Sequence, residues 1–179
     1  DVRGRFPEVS YAVEYVDGFA AEADYVHDWT INPAFDRKGN PLPSPRIATL
    51  AEIVDRPVLK VLAKDKGREV DEFLALAGSL LGDRASITHS SSIGLLEIAA
   101  PGVTKATGLA EIAAGHDIDP SEVVAIGDMP NDVPMLEWAG RSYAVANAHP
   151  AVRAVADEVV RANDEDAVAE LIESVLAQR

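Results

Sequence analysis

Two carboxylates and an amide follow one apolar stretch of the sequence within a few residues. The stretch "VVAI" (123–126) runs into Gly127 and Asp128, and Asn131 and Asp132 complete the order G-D-x-x-N-D. Oxygen groups of this kind suit Mg²⁺, which binds one or two carboxylates and keeps several waters. A plain strand end followed by a helix with an N-terminal acid would use the same residue types. These residues alone leave both interpretations open.

Lys105, in "PGVTKATGLAEIA", adds a second observation to this pattern. It falls in the first turn of a predicted helix, where its positive charge opposes the helix dipole. Such a placement calls for an anionic partner, and a phosphate or a carboxylate would be one. A solvent-exposed lysine is the simpler interpretation of Lys105 alone, but together with G-D-x-x-N-D it favours a site for a cation and a phosphate. We expect adjacent strand ends to bring Lys105 and Asp128 together.

Strands and helices alternate in the second part of the chain, which predicts parallel βαβ units. The predicted elements are a helix over 104–114, a strand over 122–126, a helix over 131–139, a strand over 142–146, a short helix in "PAVRAVA", a short strand "EVV" and a closing helix. Asn163 or Asp164 is the predicted N-cap of that closing helix. Ligands of such sheets bind outside the carboxyl ends of the strands, where Asp128 falls.

Residues 8–100 show a different order, β-β-α-β-α-β-β, which predicts an α+β module. Strands are predicted over 10–16, 23–29, 57–64, 85–90 and 93–99, with a Gly- and Pro-rich loop over 32–45. A helix is predicted over 46–55 with Ser44 as its N-cap, and a second one over 68–82 with Gly82 as its stop. Residues 100–104 are the predicted hinge between this module and the βαβ part.

Composition limits the possible partners. The 179 residues carry a formal net charge of −14, which argues against binding of nucleic acid. A phosphorylated small molecule would therefore need a locally positive site. No apolar stretch is long enough to cross a membrane, no signal peptide is seen, and the absence of cysteine excludes disulfides and thiolate metal sites. A cytoplasmic protein without membrane contact is expected.

Four blocks of the chain together resemble a known family. "GVTKATGLAEI", "EVVAIGDMPNDVPMLEWAG", "YAVANAHPAVRAVADEVV" and "NDEDAVAELI" are similar to the C-terminal half of haloacid-dehalogenase-type (HAD) phosphatases, most closely the Cof-like branch with a large α/β (type IIB) cap. The resemblance runs over residues 97–176. It implies an α/β fold in which residues 101–179 are the C-terminal part of a Rossmann-like core, a parallel sheet with flanking helices, and residues 1–100 are an α+β cap domain.

The resemblance also implies Mg²⁺-dependent hydrolysis of a small phosphomonoester, such as a sugar phosphate, through an aspartyl-phosphate intermediate. By match of position, Asp128 would bind Mg²⁺, and Asp132 would be a catalytic residue that supports the metal directly or through water. Lys105 would be catalytic and substrate-binding, because it neutralises the nucleophile and the phosphate oxygens. Asn131 would hold the phosphoryl group. Asn147, in "VANAHP", would bind substrate from the next strand end.

The D-x-D motif that supplies the nucleophile of this family has no counterpart at a matching position. In "AVEYVDGFA" the nucleophile position holds Tyr15, and Asp17-Gly18 is predicted to be a turn. We therefore expect the nucleophile and the first core strands to lie outside these 179 residues, in an N-terminal segment that would be needed to complete the sheet. The chain alone is expected to be inactive.

Two alternatives stay open. The chain could be a non-catalytic fragment or a degenerate binding module of the same family, although the joint presence of Lys105, Asp128, Asn131 and Asp132 counts against this, and a phosphomutase is possible within the superfamily. The sequence does not name the substrate. "THSSSIG" (88–94) is a polar turn or a surface that lines the substrate side of the cap. The histidines match no metal-ligand spacing: His27, His89, His116 and His149.

Overall fold

The computed structural model of the protein describes residues 2–25 and 45–177. Contacts between Cα atoms divide the chain into two units, Asp1–Pro101 and Gly102–Arg179, and each unit contains one β-sheet. Within the described ranges, none of the helices has the length and apolar character to cross a membrane. The predicted loop over 32–45 falls, except for Pro45, outside the described residues.

The first unit is built on a six-stranded sheet in the order β3-β2-β1-β4-β6-β5. Neighbouring strands are antiparallel except β2 and β3, which are parallel. The strands are β1 (Ser10–Tyr15), β2 (Gly18–Ala21), β3 (Arg46–Ile47), β4 (Lys60–Lys64), β5 (Ser86–Thr88) and β6 (Leu95–Ala99). The helices are α1 (Val2–Arg5), α2 (Leu50–Ile53) and α3 (Val70–Leu81).

Alternation along β1 determines which face of this sheet meets the helices. Tyr11, Val13 and Tyr15 point to one face, as side chains two residues apart do in a strand, and they belong to the main core of the unit together with Phe73 of α3. The predicted helix over 68–82 is confirmed as α3. It ends at Gly82, whose φ of 53° is a conformation that side chains other than glycine's rarely adopt.

Two predictions for the first unit were wrong in position. The strand predicted over 23–29 lies earlier, at β2, because Val16 and Asp17 form a two-residue turn that pairs Tyr15 with Gly18; residues 26–29 lie outside the described ranges. The predicted turn at Asp17-Gly18 thus stands at the tip of a hairpin.

The helix predicted over 46–55 begins only at Leu50 in α2. Its N-cap is Thr49, whose N–H donates to the Glu52 carboxylate at 2.8 Å, whereas the predicted N-cap Ser44 lies outside the described residues. Arg46 and Ile47 instead pair with β2, so strand pairing at the sheet edge prevailed over the local helical pattern.

The second unit has a three-stranded parallel sheet in the order β7-β8-β9, which confirms the predicted βαβ alternation. The strands are β7 (Val124–Gly127), β8 (Arg141–Val145) and β9 (Glu158–Val160). The helices are α4 (Lys105–Ala114), α5 (Val133–Trp138), α6 (Pro150–Val155) and α7 (Ala167–Ala177). Its core is made of buried side chains from the strands, the helices and the turn after β8: Ala125, Leu136, Ala144, Val145, Ala148, Val152 and Ala167.

The last helix and the first strand of this unit leave apolar surface exposed. On α7, Val168, Ile172 and Leu176 are exposed, and β7 pairs with a single neighbour, β8, within the described residues.

The predicted N-cap of the last helix was wrong. The helix begins three residues after Asp164, and the side chain of Asn163 bonds to another asparagine instead.

Candidate active site

The candidate site lies where β7 ends. The strand stops at Gly127, a single 3₁₀ turn covers Pro130–Asp132, and α5 follows directly. Asp128 is exposed at this point, and none of the described residues bonds to its carboxylate. Its backbone is held on both sides, because its N–H donates to Asp132 at 2.9 Å and its carbonyl accepts from the His149 N–H at 2.8 Å. A fixed backbone thus presents an unengaged carboxylate at the strand end.

Asp132 is the opposite case, a carboxylate that is buried and accepts hydrogen bonds from protein groups at both oxygens. It is 3% exposed. Its Oδ2 atom accepts from the N–H groups of Asp128 and Met129 at 2.9 and 3.1 Å, and its Oδ1 atom accepts from the Lys105 ammonium. The side chain therefore closes the β7–α5 turn and ties that turn to α4.

Gly127 makes room for this side chain. A Cβ atom at residue 127 would lie 2.5 Å from the Asp132 Cβ and 2.9 Å from its Cγ, distances that real Cβ atoms do not adopt. The glycine of G-D-x-x-N-D is required here for close approach, since its φ is not in the left-handed region.

The charge state of Asp132 follows from two opposed effects. Burial by itself would raise the pKa of this carboxyl group. The hydrogen bond from Lys105 and the N–H groups of Asp128 and Met129 outweigh burial, so that the pKa lies below its ordinary value of 3.8. Asp132 is therefore ionised at neutral pH and forms an ion pair with Lys105.

Lys105 is the first residue of α4, where its charge opposes the helix dipole, as the sequence predicted. The anionic partner that this placement requires is the Asp132 carboxylate. Thr104 is the N-cap of α4: its Oγ1 accepts from the Thr107 N–H at 3.2 Å, and its own N–H donates to the Thr107 hydroxyl at 3.0 Å. The side chain of Lys105 as a whole is 47% exposed.

Asn131 and Asp128 provide the test of whether a metal fits this site. The Oδ1 atom of Asn131 is buried and accepts a hydrogen bond from none of the described residues. A buried oxygen acceptor without a donor is unfavourable, and a cation or a water bound to it would satisfy this atom. With the unengaged carboxylate of Asp128 on the same turn, the oxygen atoms present fit a hard divalent cation such as Mg²⁺.

Asn147 follows the end of β8, the next strand end of the sheet, and is exposed. Its side-chain amide donates to Asn163 Oδ1 at 2.8 Å, and its Oδ1 atom accepts from the Asn163 N–H at 3.1 Å. These two hydrogen bonds connect the loop after β8 with the loop after β9. The structure thus gives Asn147 a protein partner, and its predicted role toward a substrate stays a prediction.

Sequence reasoning missed the two backbone bonds of Asp128 and the close approach at Gly127. The glycine of the motif was one signal for it, because a glycine between an apolar strand and an acid indicates a backbone that another group approaches closely. The His149 N–H had no signal in the sequence, since any residue except proline offers the same donor.

Other residues singled out in the sequence make structural contacts or are buried. Asp17 forms an ion pair with Arg56 at 2.9 Å. His89 is fully buried, and the Ser90 hydroxyl of "THSSSIG" donates to Glu97. Residues 26–44, among them His27, lie outside the described residues.

Comparison with known proteins places the chain in a family. A family model described as haloacid dehalogenase-like hydrolase matches residues 11–172. The 5-amino-6-(5-phospho-D-ribitylamino)uracil phosphatase YbjI of Escherichia coli is 40% identical over 96 residues, which are 54% of this chain and 35% of that protein. The chloroplastic endoribonuclease YBEY of Arabidopsis thaliana is 34% identical over 121 residues, 67% of this chain but only 20% of that protein.

Solved structures share the fold. The crystal structure of SMU.1108c from Streptococcus mutans has a TM-score of 0.80 at 22% identity and covers 98% of this chain, which spans 64% of that one. The subclass IIB sugar phosphatase BT4131 has a TM-score of 0.77 at 18% identity, with 96% of this chain and 62% of that one covered.

The chain belongs to the haloacid dehalogenase-like hydrolases, and the predicted family is confirmed. Its fold is shared with SMU.1108c and with BT4131, which confirms the predicted Rossmann-like α/β class with an additional α+β part. Several relatives are named phosphatases. The chain spans 20% of the length of the Arabidopsis endoribonuclease and 35% of the length of the Escherichia coli phosphatase. It spans about three fifths of the length of the two solved neighbours.

Proposed function

We propose that the protein to which these residues belong is a Mg²⁺-dependent phosphatase that hydrolyses a small phosphorylated metabolite, a sugar phosphate or a similar phosphomonoester, through an aspartyl-phosphate intermediate. The observation that carries this proposal is the strand end of β7. It presents an unengaged carboxylate, Asp128, on a backbone that is clamped by Asp132 and His149. The family match to hydrolases and the phosphatase names of several relatives support it.

In this proposal each residue has a separate task. Asp128 holds Mg²⁺, and Asp132 supports that site. The ammonium of Lys105 neutralises negative charge on the phosphoryl oxygens and on the nucleophile. Asn131 orients the phosphoryl group, and Asn147 contributes to substrate binding from the end of β8. The bound metal would supply charge neutralisation on the transferred group.

We further propose that residues 1–100 are the cap domain and residues 101–179 the C-terminal part of the core. The support is the likeness of the fold to the subclass IIB sugar phosphatase and the division of the chain at Pro101. The cap then selects the substrate. The nucleophile is a carboxylate that lies outside these residues.

An N-terminal core segment that pairs with β7 belongs to the same proposal. The free edge of β7 among the described residues supports it, as does the exposed apolar side chain of Val124 on that strand. An unpaired edge of a parallel sheet is a site where another strand can add. By itself the 179-residue chain, which contains the metal ligand but no nucleophile, is then inactive.

The test is phosphate release by the intact parent protein from a panel of sugar, nucleotide and cofactor phosphomonoesters, with and without Mg²⁺. We expect turnover that requires Mg²⁺ and falls at least about a hundredfold in Asp128→Ala, because the metal ligand is lost. Glu137→Ala, which changes an exposed acid on α5 of the same unit, is the matched control and should keep wild-type activity. No turnover of any ester would overturn the proposal in favour of a binding module.

A further inference from the structure

Two asparagines that follow neighbouring parallel strands bond to each other in both directions. The side-chain amide of Asn147, after β8, donates to Asn163 Oδ1 at 2.8 Å, and its Oδ1 atom accepts from the Asn163 N–H at 3.1 Å. Both residues are exposed. Because water offers the same groups alternative partners, such bonds contribute little to stability. Their main effect is to fix how the Asn147 amide is turned.

The orientation of this amide follows from the two bonds. If the Asn147 amide were turned by 180°, its NH₂ group would face the Asn163 N–H and its oxygen would face Asn163 Oδ1. Donor would then stand against donor, and acceptor against acceptor. An asparagine amide has two N–H donors. Asn163 takes one of those of Asn147, and the second N–H bonds to none of the described residues. Asn163 thereby sets the direction in which Asn147 offers a donor.

The backbone on both sides of Asn147 is held as well. The Ala146 N–H donates to the Arg161 carbonyl at 3.2 Å, beyond the end of β9. On the other side, the His149 N–H donates to the Asp128 carbonyl at 2.8 Å, at the end of β7. The loop after β8 is therefore bonded to both neighbouring strand ends. With its backbone held in this way, the remaining freedom of Asn147 is that of its side chain, which Asn163 restricts.

We propose that Asn163 is a positioning residue of the proposed phosphatase, which orients the Asn147 amide so that its second N–H donates to an oxygen atom of the substrate. This inference rests on the proposed function, in which Asn147 contributes to substrate binding. Asn163 itself does not touch the substrate. A donor that is already oriented loses little conformational freedom when the substrate binds, which favours binding. The inference extends the site from the ends of β7 and β8 to the end of β9.

The experiment measures KM and kcat of the intact parent protein with the best phosphomonoester of the panel. Asn163→Ala removes the acceptor Oδ1, whereas Asn163→Asp keeps an oxygen at this position. We expect KM to rise about 3- to 10-fold in Asn163→Ala with a smaller change in kcat, because one hydrogen bond that orients a substrate-binding group is lost. Asn163→Asp should stay within about twofold of wild type at high salt, which screens its added charge. Asp164→Ala, an exposed neighbour on the same loop, is the matched control and should keep the wild-type KM.

A double variant separates positioning from a merely structural role. Since Asn163 acts through Asn147, the variant Asn147→Ala/Asn163→Ala should have the same KM as Asn147→Ala alone. Additive effects on KM would overturn the inference. An unchanged KM in Asn163→Ala would also overturn it, as would a KM in Asn163→Asp as high as that in Asn163→Ala.

NMR relaxation of the Asn147 side-chain ¹⁵N gives a readout that does not depend on turnover. In wild type and in Asn163→Asp we expect an order parameter of about 0.8, close to that of rigid backbone, and in Asn163→Ala a value below about 0.6. A mobile amide in the wild type would overturn the inference. A wild type that releases no phosphate from any ester would instead contradict the proposed function, and the order parameters would still decide whether Asn163 orients Asn147.

Discussion

Two of the described strands are followed directly by an aspartate, and the two turns hold this aspartate in different ways. After β4, Asp65 is 6% exposed, and its two oxygens accept from the Gly67 N–H at 3.0 Å and from Arg68 Nε at 3.2 Å. After β7, Asp128 is exposed and its carboxylate is bonded to none of the described residues. Asp65 accepts hydrogen bonds from residues of its own turn. The backbone of Asp128 is held by Asp132 and His149, and its carboxylate bonds to none of the described residues.

The comparison shows that an acid after a strand is not by itself a sign of a site. The partners of Asp65 lie two and three residues further along the chain, which is the spacing of a local turn. The groups that position Asp128 come from residues 132 and 149, and Asp132 in turn reaches residue 105. These contacts around a carboxylate that bonds to none of the described residues are the support for the proposed metal site.

The difference between the two turns is tested by neutralising each aspartate separately in the intact protein. We expect Asp128→Asn to lower Mg²⁺-dependent phosphate release at least about a hundredfold, because the proposed metal ligand is lost. Stability should change little, because the Asp128 carboxylate bonds to none of the described residues. Asp65→Asn should keep the activity and lower the free energy of unfolding by about 1–2 kcal/mol, because a buried charged hydrogen bond to Arg68 is weakened. Activity assays and urea unfolding of the two variants check this. Equal losses of activity would show that the two turns do not differ in function.

Each turn also depends on a glycine. A Cβ at Gly94, which has a φ of 69°, would lie 2.0 Å from the Asp65 carbonyl oxygen, and a Cβ at Gly127 would lie 2.5 Å from the Asp132 Cβ. We expect Gly94→Ala to lower the free energy of unfolding by about 3 kcal/mol or more, because backbone strain and a backbone clash add. Gly127→Ala should lower it by about 1–3 kcal/mol, because Asp132 must move away from the new Cβ, and should also reduce turnover. Denaturant unfolding measures both, and a harmless Gly127→Ala would contradict the close approach.

The ion pair in the second turn can be tested by titration. Because the pKa of Asp132 is lowered in the folded protein, the stabilisation that it contributes is fully present above the unfolded value and is lost as the pH falls through the folded one. Removal of the charge in Lys105→Met should raise the pKa of Asp132 and move this loss to higher pH. The ¹³C chemical shift of the Asp132 carboxyl group, followed by NMR from pH 2 to 7, reports it. An unchanged midpoint would mean that Lys105 does not set the charge of Asp132.

The smallest expected effect comes from a glycine that neither turn requires. Gly108 lies inside α4, and among the described residues no atom beyond its chain neighbours and the backbone of its own helix lies within 4 Å of the position that its Cβ would take. Gly108→Ala should therefore stabilise the protein by about 0.5–1 kcal/mol, because alanine loses less conformational freedom on forming a helix. The change is a matched control for Gly127→Ala in the same unfolding experiment. A destabilised variant would indicate that α4 has a neighbour at this position.

Local patterns in the sequence determined much of the architecture. The 3.6-residue spacing of Val70, Phe73 and Ala77 defined α3, and the strand–helix alternation after residue 101 defined the parallel sheet. These features depend on side chains close together in the chain, which is why they can be predicted. The same holds for the position of Asp128 at a strand end, because an apolar run that stops at Gly-Asp marks where a buried strand emerges.

The elements that were misplaced depend on partners distant in sequence. Arg46 and Ile47 form a strand because β2 offers them an edge. Asn163 bonds to Asn147 because two parallel strands end side by side, so it is not the N-cap of α7. No pattern within either segment indicates these contacts.

The residues of the candidate site can be named from the sequence: Lys105, Asp128, Asn131 and Asp132. Their bonding follows from the folded chain, in which Asp132 bonds to an ammonium and two N–H groups and the Asp128 carboxylate to none of the described residues. What a carboxylate can bind depends on which of its oxygens already accept hydrogen bonds. That is decided by donors 4 and 27 residues away, which only the folded chain brings together.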